Sequence, residues 1–565
     1  MKTFTTAALS AVALTLAAPG VVGADATQVG VGYICGAEHD TTPRATTAVM
    51  LAGVGNGSSP ADTTNAQAQA WYHEGLNLYH AFNHNEAIAA FAKAASLDPT
   101  CALCEWGVAL SLGPTLNYGV TPGQTALARI HAEAARKLVK PGDARAQALT
   151  EAMLVRYDKD RADRDLQYGK AMDEIARRYP ADDEIADLTA QALMIPGRGD
   201  NLASDARALE LIRTVLARRP DDTAAIHYYI HATEFVQRPG DALPYAERLA
   251  SLAPGASHLV HMAAHTLMHV GRYEQVAIVD AQALKVDADT EKRLAYAGPL
   301  SAQMYYLHNY TFGLAGALMS GDGKLALKYA DHADVAFPAD DKTPTALPAG
   351  LTRTDGPAAR RVVATSKALV AYGRYEPSKA LTLKDEPGDR LIVKVYRHYA
   401  RGEAFAARGD AAGVRGEAEA IAALIPEASK AGEAGTVNIG GIAGDVLAGR
   451  AALLDRQPDK AAALFAKAAA NQEKTYPASK NFDPPPWWYP VRRSLAAADL
   501  AAGRPDDAIR EARASLKDWP GDALALKVVS EAEAKQGHAD AAAKDLTQAK
   551  KVWRGDLAKV PLALV

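Results

Sequence analysis

The stretch QAQAWYHEGLNLYHAFNHNEAIAAFAKAASLDP, residues 67–99, decides the fold. Its apolar and small residues recur at helical rather than strand spacing, and a turn-prone AFNHN interrupts them midway. Trp71 supplies a large side chain early in a first helix, Gly75 permits a close helix approach, and Leu78 faces inward. Ala87, Phe91 and Ala94 form the seam of a second helix, and Pro99 stops the unit where a missing amide donor does no harm. The segment reads as an antiparallel helical hairpin.

This spacing matches the tetratricopeptide pattern, with Glu74 standing where an apolar residue is usual. It recurs around Ala242, Leu249 and Pro254, then around Gly271, Tyr273, Val276 and Ala283. Near the other end Gly503, Ala508 and Pro520 repeat it, followed by Gly537, Ala542 and Ala549. Residues 143–157, 163–179, 183–194 and 204–218 carry helical periodicity with less regular spacing, as divergent repeats would. Alternating strand patterns are scarce. The expected fold is therefore all-α, a tetratricopeptide-like helical-hairpin solenoid, strongly curved or closed.

Interruptions divide the chain. Residues 111–124 read as an inserted turn. Residues 337–357, rich in Pro, Gly and Thr, read as a linker between a solenoid over 67–336 and a second helical block over 358–565. A further insertion, YPASKNFDPPPWWYP, precedes a repeat helix at Val491.

The start, MKTFTTAALSAVALTLAAPGVVGADA, has a basic residue, an apolar run and small residues suited to cleavage, so residues 1–26 read as a signal peptide and 27–66 as an N-terminal extension. A buried first helix is the alternative. Export is the expectation, to a periplasm first and to the medium second. No later segment looks long and apolar enough for a transmembrane anchor. In an oxidising compartment Cys35, Cys101 and Cys104 point to a disulfide among the three, with inert thiols or redox and metal chemistry as alternatives. A net charge of -4 over 565 residues, with no extended basic stripe, argues against a nucleic-acid partner.

HYYIHATEF and HLVHMAAHTLMH hold six of the fifteen histidines. Counting within the repeat puts His227 and His231 at the fifth and ninth positions of one first helix. His258, His261, His265 and His269 take the second, fifth, ninth and thirteenth positions of the next. These positions line the concave groove, so His227 is expected beside His261 and His231 beside His265. His308 falls at the second position of the following helix. Imidazoles on adjacent helices can share an ion, with zinc, copper or iron equally open. Glu234 is either a ligand or the group that orients one. His258 and His269 have the same two roles open to them, and ordinary polar packing is the competing explanation for the whole set.

Other features suit ligand contact or packing. Tyr228 and Tyr305 flank the histidines, while Trp487, Trp488, Tyr489 and Arg493 follow the proline run. His73, His80 and His84 make a second, weaker cluster near a turn.

Four segments, LYHAFNHNEAIAAFAKAASLDPTCALCEWG, HYYIHATE, HLVHMAAHTLMHVGRY and PPPWWYPVRRSL, resemble a bacterial family of exported tetratricopeptide-repeat proteins known chiefly by that repeat. That family usually has Pro-Ser where this chain has Ala263-Ala264, a change that alters the helix locally and leaves both flanking histidines in place. The resemblance implies one long helical assembly and brings no activity with it. Three functions follow from the residues: a binding protein with a metal-containing groove, a metal-dependent hydrolase or oxidoreductase, or a metal-free interaction scaffold. A small molecule, a peptide or a protein would occupy the groove.

Overall fold

A computed structural model of the chain describes residues 48–117, 119–120, 122–197, 199–294, 304–336, 357–477 and 486–565. The expected signal peptide, residues 27–47 of the expected N-terminal extension with Cys35, residues 337–356 of the expected linker and residues 478–485 of the expected insertion lie outside them. Among the described residues the regular structure is α-helix with a few 3-10 turns, and there is no strand. Successive helices pack as antiparallel hairpins, and the first helix of one hairpin touches the first helix of the next, which builds a solenoid.

Sequence sets the helix starts. After Pro220 and Pro180 an Asp two residues on caps the following helix: the Asp222 carboxylate accepts from the Ala224 and Ala225 amides at 3.0 Å, and Asp182 accepts from Ile185. Asp522 does the same for Leu524 and Ala525 near the far end. The hairpins close on aromatic wedges. A Cβ at Gly75 would stand 2.7 Å from the Phe91 ring, and one at Gly107 only 2.3 Å from it. Phe91 thus fills the space that two glycines leave, and the Gly449/Phe465 pair repeats the arrangement.

The N-terminal solenoid curls tightly. Its first helix, Ala66–His80, touches Thr223–Phe235 directly. The segment before it straps the curl: Leu51 donates its amide to Glu74 at 2.6 Å, Gly255 donates to the Gly53 carbonyl at 2.8 Å, and Asn56 bonds the Asp221 carbonyl at 2.7 Å. Glu74, the departure from the repeat pattern, therefore has a structural partner. The chain's far end returns to the middle, where Arg554 donates its amide to the Ser320 carbonyl at 2.9 Å and Pro520 and Gly521 abut Gly271. One apolar core runs from Leu51 to Phe312 and a second from Tyr273 to Ala498. The helices Thr223–Phe235 and Ser257–His269 belong to the first core, and Met304–Ser320 joins it to the second, with Phe312 in the first and Tyr306, Leu307 and Tyr310 in the second.

One sequence expectation needs correction. The helix Ala434–Leu454 has a mean hydropathy of 1.3 over its most apolar window, and so is long and apolar enough to cross a membrane. Here 56% of that window is packed inside the protein, and the helix carries Arg450 fully buried against Glu403. Its apolar composition serves a core.

Candidate metal centre

Three helices carry the centre: Thr223–Phe235, Ser257–His269 and Met304–Ser320. Neighbouring pairs of them are in contact. His227 and His231 lie one turn apart on the first, His261 and His265 one turn apart on the second. Two clusters result, His227 with His231 and His258, and His261 with His265 and His308. Within each, one ligand nitrogen per residue lies within 4.8 Å of the others. None of the six is more than 4% exposed. The Nε2 atoms of His227 and His258 stand 3.2 Å apart, and those of His265 and His308 3.3 Å apart.

Three outer nitrogens are anchored. His227 Nδ1 lies 2.7 Å from the His80 carbonyl oxygen. A carbonyl only accepts, so Nδ1 carries the proton and Nε2 presents its lone pair inward. His261 Nδ1 meets Asp280 at 2.6 Å, and His265 Nδ1 meets Glu234 at 3.0 Å. Glu234 also approaches His231 Nδ1 at 3.6 Å and His269 Nε2 at 3.4 Å. Carboxylates and carbonyls behind ligand imidazoles fix tautomer and ring orientation. The inner Nε2 atoms of His231 and His261 have no hydrogen-bond partner. An unpaired buried polar atom costs about 1–3 kcal/mol, and a metal ion held between the clusters' nitrogens would satisfy it.

Electrostatics favour neutral ligands. Burial, and then the neighbouring imidazoles, push the pKa values of His227, His258, His261 and His308 well below the ordinary histidine value. Imidazoles that stay neutral keep the lone pair that a metal needs. Burial works against the Glu234 charge, yet His265 and the bonds from His231, His265 and His269 hold its pKa well down. Burial pushes Asp280 well up.

Aromatic rings wall the centre from water. Phe82 sits in the turn after Ala66–His80 with φ at 58°, a left-handed backbone that aims its ring inward. That ring lies 4.5 Å from His227 and 5.0 Å from His258, centroid to centroid. Tyr305 covers His258 at 4.3 Å, and Phe312 lies 5.1 Å from His261 and 4.9 Å from His265.

Repeat counting finds these residues and places His231 beside His265, with ring centroids 5.7 Å apart, but misjudges the partner of His227. His227 meets His258, one turn before the expected His261, because adjacent helices of a curved solenoid cross at an angle. The nitrogens of His227, His231, His261 and His265 accordingly divide between two clusters instead of meeting in one. His258 and His308 join the clusters. Glu234 stands behind the imidazoles, and His269 contacts it from the helix end with its side chain 24% exposed. His80 supports the centre through its carbonyl, while its ring bonds Tyr228 at 2.8 Å and Glu184 at 2.8 Å. His73 bonds Gln69, and His84 packs on Tyr79 and Phe82.

The aromatic run lies elsewhere. Trp487, Trp488 and Tyr489 are buried in the second core, and Arg493 pairs with Asp522 at 3.1 Å over the Tyr489 ring. Cys101 and Cys104 form a disulfide. Sequence reasoning missed Phe82 and Asp280. Asp280 lies on Tyr273–Leu294 at an inward position of the second repeat helix, a place where a lone acid gives a usable signal.

No protein-family model matches the chain. No curated protein matches it. Among solved structures, a human IFIT1 dimer with m7Gppp-AAAA is similar at 12% identity and a TM-score of 0.28, over 85% of this chain and 94% of that one. Naa15/Naa10 bound to HypK-THB is similar at 13% identity and a TM-score of 0.22, over 86% and 70%. The solenoid assignment rests on the chain's own helices.

Proposed function

We propose that this is an exported helical solenoid that binds transition-metal ions in a buried six-histidine centre. The observation that carries the reading is the convergence of six buried imidazoles from three packed helices, two of them with inner nitrogens that lack any partner. A metal-free scaffold gives no reason to bury those nitrogens. Neutral imidazole sets suit zinc, copper or iron. The leader supports export, and the Cys101–Cys104 disulfide suits an oxidising compartment. A small molecule, a peptide or a protein is the partner that the groove would take.

A second reading, metal-dependent hydrolase or oxidoreductase, is favoured by the ligand count. Three imidazoles leave a four-coordinate ion one open position, where water or oxygen becomes reactive.

Elemental analysis of the mature protein beside a His227→Ala/His261→Ala double variant tests the proposal. Metal retained by the native chain and lost by the variant is the expected result. Equal content near zero in both, after separate reconstitution with zinc, copper, iron and manganese, would sink it.

A further inference from the structure

The second histidine cluster is the first one moved on by one repeat. His227 and His231 occupy the fifth and ninth positions of their helix, and His258 the second position of the next. His261 and His265 occupy the fifth and ninth positions of that next helix, and His308 the second position of the one after. The series stops there on both sides. The second position before His227 is Ala224, and the fifth and ninth positions after His308 are Thr311 and Ala315. Two copies of one three-imidazole site are therefore built by consecutive repeats.

The copies abut. His231 and His265 have ring centroids 5.7 Å apart and His258 and His261 6.0 Å apart, against 5.0 Å for His227 and His258 inside the first cluster and 5.4 Å for His265 and His308 inside the second. Six imidazoles exceed what one tetrahedral ion takes and divide evenly between two. Resting on the metal-centre reading above, we propose that the centre is dinuclear and holds a pair of copper ions, one per cluster, in the cuprous state.

Donor chemistry selects the ion. Neither cluster contains a thiolate or a carboxylate, and the acids that touch it, Glu234 and Asp280, face outer Nδ1 atoms. Paired iron or manganese sites draw on carboxylate ligands, which these clusters lack. Zinc and copper both accept imidazole. Charge separates them: the electrostatic penalty of burial rises with the square of ionic charge, and every donor here is an imidazole, which brings no negative charge to offset a bound ion, and is at most 4% exposed. Two cuprous ions bring half the charge of two zinc ions. Phe82, Phe312 and Tyr305 complete a dry, soft surround.

The test loads the mature protein anaerobically with cuprous ion against a competing chelator. Two copper ions per native chain are expected, and one in either His258→Ala or His308→Ala. One ion per native chain would overturn the dinuclear proposal alone, whereas none of any metal would overturn the metal centre itself. Zinc that displaces cuprous ion in direct competition would overturn the choice of metal. After chemical oxidation to the cupric state, the native electron paramagnetic resonance spectrum should show spin coupling between the ions. A spectrum that is the sum of two isolated centres would count against adjacency, and this reading needs no variant.

Discussion

His265 Nδ1 meets Glu234 Oε1 at 3.0 Å from the neighbouring helix, while His231, on Glu234's own helix, stands 3.6 Å from the other oxygen. One carboxylate thus bonds an imidazole of the second cluster and faces one of the first. Glu234→Gln keeps the shape and removes the charge. Loss of such an outer partner weakens metal affinity by about 10–100-fold. Chelator competition should show that loss in both clusters, with unchanged helical circular dichroism. Native affinity in the variant would mean that Glu234 does not govern the ligands.

The Phe91 wedge gives a separate prediction about folding. A Cβ at Gly107 would sit 2.3 Å from the ring, with Gly75 closing the opposite side. Gly107→Leu forces the ring or a helix to move. Overpacking of this kind costs about 1–3 kcal/mol. Urea unfolding followed near the N-terminal hairpins should show a lower midpoint, and a joint Phe91→Ala change should recover part of it. A solenoid loses its repeats unevenly, so the probe must be local.

These two cases mark what was legible in the sequence. Gly75, Phe91 and Pro99 announce a hairpin because their roles are local, and the ranges 183–194 and 204–218 become Asp183–Met194 and Leu202–Arg218 almost unchanged. Histidines at fifth and ninth positions were readable as neighbours on adjacent helices for the same reason, though all four are buried rather than open to a groove. The His231–His265 pair was readable too, at 5.7 Å between rings, but the His227–His258 pair was not, since it depends on how two helices cross rather than on spacing in either. Phe82 was invisible because its ring is aimed by a left-handed turn, and turn conformation is not carried by periodicity. The Trp487 run was ambiguous between ligand and packing. Its burial with Tyr399 in the second core, at a ring separation of 4.8 Å, is a long-range contact that no local pattern specifies.

Asp205 yields a pH prediction. Its side chain sits buried in the first turn of Leu202–Arg218, and burial, helped by Asp200 and opposed by the Gly199 amide, raises its pKa from 3.8 to about 6. The native state therefore binds the proton more tightly than the unfolded chain. Stability from this group is fully present below pH 3.8 and is lost as pH rises through about 6. Asp205→Asn removes that dependence. The melting temperature of the variant minus that of the native chain should climb between mildly acidic and neutral pH, then level off. A difference that stays flat across that range would exclude Asp205 as the source.

Glu403 tests why an apolar helix long enough to cross a membrane sits in a protein core. Its carboxylate pairs with Arg450 at 2.7 Å and with Arg374 at 3.0 Å, and both Glu403 and Arg450 have no exposed side-chain surface. Arg450 also donates to the Ala563 carbonyl at 2.6 Å, and Arg374 to Leu564 at 2.9 Å, so the ion group ties Ala434–Leu454 to the returning tail. Removing one partner of a buried pair strands the other charge, at a cost of about 3–5 kcal/mol. Glu403→Ala should therefore lower the urea midpoint followed near Ala434–Leu454 sharply and expose the tail to protease. Glu403→Met/Arg450→Met removes both buried charges together and should recover part of that loss. Recovery stays incomplete because Arg374, held over the Trp488 ring at 5.2 Å, keeps its charge without the carboxylate. A double variant no more stable than Glu403→Ala would show that the ion group acts through its tail contacts rather than through charge pairing.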